Sequence, residues 1–234
     1  MANSRRRVLG AFVLIGAGLL ASTFFLGWYV ISGQGSNPQT NATETLRLLS
    51  VSVTGSGGGN WNGTYADAHL PHTGTIYLAT ALLVFGAVLI AAVVGTFLMF
   101  GGGGAGRRTV LALSLLAVVL AAAGPIITAT AQPAAICSDA HGFSPPLGSP
   151  GGNETIGGTT CTWEFYQGSG GWYGPGQTTG PGDSFIGTSS QYGATQAWGP
   201  TAGWYLGIVG AVIMGTATAL LAVSPKAIPS RGAN

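Results

Sequence analysis

The residues equipped for chemistry in this 234-residue chain are few. Asp67, His69 and His72 lie in Asp67-Ala68-His69-Leu70-Pro71-His72, one carboxylate and two imidazoles of the type that binds copper or zinc. Pro71 forbids a continuous helix that would align the imidazoles, and carboxylates are scarce, so the expectation is no metal. Cys137 and Cys161 are the only cysteines. Cys137 with Asp139 and His141 has the wrong ligand mix for a closed zinc site. An even pair in one segment on the oxidising side of a membrane predicts a disulfide, worth about 3 kcal/mol in chain-entropy terms. No G-x-S-x-G, no H-E-x-x-H and no paired carboxylates on a recognisable frame are present, so neither an enzyme nor a cofactor is expected.

These residues are positioned by four apolar runs without Asp, Glu, Lys, Arg or His: 8–31, 76–100, 110–131 and 203–223. Each is long enough to cross a hydrocarbon core of about 30 Å. A composition of 47% hydrophobic and 6% charged residues, with mean hydropathy +0.44, excludes an ordinary soluble domain, where about a quarter of residues carry charge. If polar segments alternate inside and outside, every basic residue except Arg47 falls on one side, and all acidic residues and histidines fall on the other. The positive-inside rule makes the basic side cytoplasmic. The expectation is a multi-pass protein of the plasma (cytoplasmic) membrane with both termini inside.

The segments are then a cytoplasmic N-terminus (1–7), a first span (8–31), a first outer loop (32–75), a second span (76–100), a cytoplasmic turn (101–109), a third span (110–131), a second outer loop (132–202), a fourth span (203–223) and a cytoplasmic tail (224–234). Ser4-Arg5-Arg6-Arg7 resembles a twin-arginine export signal, but the apolar run is too long for a leader and lacks a clear cleavage site, which favours an uncleaved anchor. Gly101-Gly102-Gly103-Gly104-Ala105-Gly106-Arg107-Arg108 lacks the Lys-Ser/Thr ending of a phosphate loop and reads as a flexible link with a basic anchor. The short basic flanks form no patch, so nucleic acid is not an expected partner.

Residues 45–54 partly alternate apolar and polar side chains before Gly55-Ser56-Gly57, which predicts one strand and a turn. The second outer loop interleaves Gly, Pro, Ser and Thr with aromatics, among them Trp163, Trp172 and Trp198, and predicts a small disulfide-linked cap of short strands. Asn41, Asn62 and Asn153 each begin an Asn-x-Thr sequon in an outer loop, where oligosaccharide transfer could reach them. The fold class expected is an all-α integral membrane protein: a four-helix bundle with a β-containing extracytoplasmic cap built from both outer loops.

In the fourth span Gly203, Gly207, Ala211, Gly215 and Ala219 recur every fourth residue and predict a close-packing face, either within the bundle or toward another subunit. Pro125 predicts a bend in the third span. The spans offer only scattered Ser and Thr and no ionisable group, which weighs against a channel or pump.

The order of strand-bearing first loop, tight inner turn, second loop and Gly203-Trp204-Tyr205 opening a glycine-rich fourth span resembles the claudin and peripheral-myelin-protein type of tetraspan. The resemblance covers architecture. In place of the claudin Trp-Gly-Leu-Trp-Cys-Cys pattern this chain has Asn60-Trp61-Asn62-Gly63-Thr64, and the Cys-Cys-Gly motif of tetraspanins is missing, so no functional residue is transferred. The function expected is non-enzymatic: lateral or cell-surface contacts through the outer loops. The alternative is an accessory subunit of a larger membrane enzyme or transporter. The partners implied are the lipid bilayer and either copies of this chain or other membrane subunits.

Overall fold

A computed structural model of the chain describes residues 2–34, 41–56, 60–100, 106–142, 184–191 and 194–223. In chain order the elements are α1 (Ala2–Ser22), a 3-10 turn (Thr23–Phe25), β1 (Tyr29–Gln34), β2 (Asn41–Leu46), β3 (Val51–Gly55), β4 (Trp61–Gly63), α2 (Pro71–Phe100), α3 (Arg107–Gly142), β5 (Gly187–Gln191), β6 (Ala194–Pro200) and α4 (Ala202–Ala222). Contacts divide the chain into a first unit of residues 1–21, 83–122 and 207–234 and a second unit of residues 22–82 and 123–206.

Four helices are long and apolar enough to cross a membrane: Ser4–Phe25, Pro71–Phe100, Arg107–Asp139 and Ala202–Ala222. In α2 the small or slim Ala81, Val84, Ala87, Ala91 and Val94 are buried, while Leu78, Leu82, Phe85, Leu89 and Val93 are exposed. Tyr77 and Leu98 are buried on the same helix, and the small residues between them let helices approach closely when lipid, as apolar as leucine, surrounds them.

In the first unit, glycines set these approaches. A Cβ on Gly10 of α1 would lie 2.8 Å from the Gly95 carbonyl oxygen of α2, and one on Gly95 would strike Leu14 at 2.6 Å. Gly16 of α1 and Gly210 of α4 pair likewise: a Cβ on Gly210 would lie 3.0 Å from the Gly16 carbonyl oxygen, and one on Gly16 would meet Met214 Cγ at 2.5 Å.

The second unit holds a six-stranded antiparallel sheet in the order β4-β3-β2-β1-β6-β5. One span expectation and one strand expectation change here. The apolar run 8–31 is α-helical to Ser22 and 3-10 helical to Phe25; the chain extends at Leu26, and Tyr29, Val30 and Ile31 enter the sheet as β1. Both a span and a strand buried on one face are apolar, so hydropathy alone fuses them. The single strand expected over 45–54 is a hairpin: β2 ends at Leu46, the Arg47 N–H donates to the Ser50 carbonyl at 2.8 Å, and Leu46 pairs with Val51. The third helix also outruns its expected end at 131, continuing through Pro125 and Pro133 to Gly142.

Candidate interaction surface

Pairing register sorts the sheet into two chemically distinct faces. One carries Asn62, Ser52 and Thr45 in one row, Thr54, Thr43, Ser32 and Thr188 in the next, and Asn41 with Thr195 in a third. Alternation places all of them on the same side. Ser32 Oγ donates to the Ala197 carbonyl at 3.2 Å, and Thr54 Oγ1 to the Thr43 carbonyl at 3.4 Å. Asn41 and Asn62 are exposed on this face, so both described sequon asparagines share it. Asn153 lies outside the described residues.

The opposite face is apolar, with Tyr29, Ile31, Leu46, Val51 and Trp198 buried. Gly187 makes room for an indole. It pairs with Trp198, whose six-membered ring lies where a Cβ would stand, and the indole N–H donates to the Ser184 carbonyl at 3.0 Å. Trp198 therefore fills the sheet's own core; Trp163 and Trp172 lie outside the described residues.

Glu44 stands on this apolar face, in the row running Val53, Glu44, Ile31 and Trp198. Burial pushes its carboxyl up to about 7. Around it is a phenol and amide cluster. Tyr77 Oη donates to Gln132 Oε1 at 2.8 Å, the Tyr65 and Tyr77 rings stack with centroids 5.4 Å apart, and Tyr65 Oη donates to the Arg47 carbonyl at 2.5 Å. Tyr29, Tyr65 and Glu44 lie within electrostatic range of Tyr77. Burial raises the Tyr29 and Tyr65 phenols well above their ordinary range, and the Glu44 charge adds to the effect at Tyr65. Tyr29 Oη and Gln132 Nε2 are buried with no hydrogen-bond partner, as are both amide atoms of Gln196 elsewhere on this face, the kind of polar lining that buried water serves. No sequence pattern marked this cluster, because it joins β1, β2, α2 and α3.

Of the metal candidates, the Asp67 carboxylate and the His69 and His72 backbones are held in a turn and a helix start. Thr64 and Asp67 form a reciprocal capping box: the Thr64 N–H and Oγ1 donate to Asp67 Oδ2 at 2.9 and 2.8 Å, and the Asp67 N–H to Thr64 Oγ1 at 3.3 Å. Those bonds hold the exposed Asp67 carboxyl below its ordinary value. His69, at φ 56°, closes the same turn, its N–H donating to the Ala66 carbonyl and the Leu70 N–H to that of Tyr65. Pro71 then opens α2 at the position where a missing N–H costs nothing. Leu70 has no side-chain oxygen to cap that helix. Asp139 of α3 does so instead, accepting from the His72 and Thr73 backbone N–H groups through Oδ1 and Oδ2, each at 2.7 Å. The cap from α3 has no local signal in the sequence, because its donor and acceptor lie 66 and 67 residues apart. Among the described residues no three His, Cys, Asp or Glu side chains group to hold a metal.

Cys137 lies in α3, and Cys161 lies outside the described residues. Of the fourth-span ladder, Gly203, Gly207 and Ala211 are buried, Gly215 is half-buried and Ala219 is exposed. A Cβ on Gly203 would lie 2.6 Å from the Gly27 carbonyl oxygen, so this glycine packs on the turn before β1. Trp204 Nε1 donates to the Pro125 carbonyl at 3.0 Å. No family model and no curated protein matches the chain.

Proposed function

We propose that this is a non-enzymatic four-span membrane protein whose non-helical segments make lateral or cell-surface contacts, with both termini cytoplasmic in the plasma membrane. The observation that carries this reading is the polar Ser, Thr and Asn face of the sheet, with Asn41, Thr54, Asn62, Thr188 and Thr195 exposed on it, assembled from segments before α2 and before α4 and bearing two sequons. A face with this many short hydrogen-bonding side chains suits a polar partner or attached glycan. The claudin-like order of segments belongs to the same reading, as does a Cys137–Cys161 disulfide, supported by the absence of a free cysteine among the described residues.

Purification in a gentle detergent followed by mass spectrometry tests the proposal. A homo-oligomer lost on Ser52→Arg with Thr54→Arg, two changes on the polar face, supports contact formation. A stoichiometric complex with larger redox or transport subunits favours the accessory-subunit alternative. A folded monomer that co-purifies with nothing overturns both.

A further inference from the structure

We propose that the groove between α3 and α4 in the first unit holds one acyl chain of an anionic phospholipid, whose phosphate is bound by Arg108 at the start of α3. The groove has a volume of about 410 Å³ and is lined by Leu111, Leu115 and Val118 of α3 and Gly215, Ala219 and Ala222 of α4. Its depth comes from the small α4 residues: even a Cβ on Gly215 would stand 3.6 Å from Val118, at ordinary contact distance. The hydroxyl of Thr218, which also lines it, is bonded to the Met214 carbonyl at 2.8 Å, so the wall presents no unsatisfied polar group.

The charge at one end supplies the headgroup. Arg108 precedes Leu111 and Leu115 by three and seven residues, so it continues their stripe on α3 to the helix start. It is exposed. Arg107 marks where the groove ends on α4: its Nη2 donates to the carbonyls of Leu221 at 3.2 Å and Ala222 at 2.6 Å, capping that helix. An anion here meets Arg108 and the positive end of the α3 dipole together. Every basic residue of the chain except Arg47 falls in this unit and every Asp and Glu falls outside it, so no acidic side chain of the unit neutralises Arg108. An anionic headgroup at a membrane interface provides that countercharge, and a hydrocarbon chain provides the apolar filling.

The inference rests on the four-span reading and not on what the sheet contacts. Native mass spectrometry of the detergent-purified chain, titrated with phosphatidylglycerol and with phosphatidylcholine of the same acyl chains, tests it. The expected result is one phosphatidylglycerol bound several-fold more tightly than phosphatidylcholine. Arg108→Gln should weaken phosphatidylglycerol alone, by roughly fivefold. Ala219→Phe, which fills the groove from an exposed position, should weaken both lipids. Equal affinity for the two lipids, or unchanged phosphatidylglycerol binding in Arg108→Gln, overturns the proposal, and that variant decides the matter even if Ala219→Phe fails to fold. Full displacement by inorganic phosphate would assign the site to a free anion. A dimer lost in Ala219→Phe with no lipid dependence would assign the groove to a second copy; either result overturns the acyl-chain assignment.

Discussion

Asp139 shows how one side chain joins distant segments of the second unit. Its carboxylate takes both bonds to the first turn of α2, where a negative group also meets the positive end of the helix dipole. Asp139→Ala should lower stability by about 1–3 kcal/mol, the range for a buried charge-assisted bond plus a lost cap, and thermal unfolding in detergent would measure it. Glu44 couples the sheet to pH. Its folded value of about 7 lies above the ordinary 4.5, so the native state binds the proton more tightly than the unfolded chain. That contribution is fully present below about pH 4.5 and is lost as pH rises toward 7. The chain should therefore lose about 1–3 kcal/mol across that window, and Glu44→Gln should flatten the profile. A pH-independent unfolding midpoint in the parent chain would show that Glu44 ionises normally.

At the scale of elements, helix contacts depend on which glycine faces which backbone. Gly10, Gly16, Gly95 and Gly210 leave no space for a Cβ, whereas Gly215 does. Gly16→Leu and Gly95→Leu should abolish folding or insertion, while Gly215→Leu should cost no more than about 1 kcal/mol, the size of an ordinary helix substitution. Size-exclusion profiles and thermal midpoints distinguish the two classes. This ordering departs from a uniform ladder of small residues at every fourth position, because the ladder's lower members turn toward an open groove. In the sheet, Gly187→Val should displace the Trp198 indole and break its bond to Ser184, destabilising the hairpin of β5 and β6 by about 1–3 kcal/mol, with a shift in tryptophan emission as readout.

For the whole molecule, the order of charges predicts that both termini lie in the cytoplasm. A cysteine replacing Gly104 should resist an impermeant thiol reagent in intact cells, and one replacing Gly57 should react; the reverse would place the basic residues outside. Non-reducing peptide mapping that found Cys137 and Cys161 both as thiols, in protein isolated without reductant, would refute their pairing. Asn41 and Asn62 bear on the same question, since an exposed sequon on the lumenal side of a glycosylating membrane would carry a sugar, detectable as a mobility shift removed by Asn→Gln exchange.

Hydropathy and charge order made the four long helices legible, because a membrane span must satisfy its backbone internally over about 20 apolar residues and leaves that length in the sequence. The sequons, the presence of strands and the small-residue character of the last helix were legible for the same reason: each depends on residues near one another in the chain. What the sequence could not specify were contacts made by distant segments. Tyr29-Val30-Ile31 are apolar enough for a lipid-facing helix, and only pairing with β2 and β6 makes them a strand. Glu44 looks like an ordinary loop acid until register puts it between Ile31 and Val53. Gly16 and Gly210 become essential because each meets the other's helix, nearly two hundred residues along the chain. Local pattern sets which elements exist, since burial period and chain chemistry are local. Partner choice, register and the burial of a charge are sums over residues remote in sequence, and tertiary structure decides them.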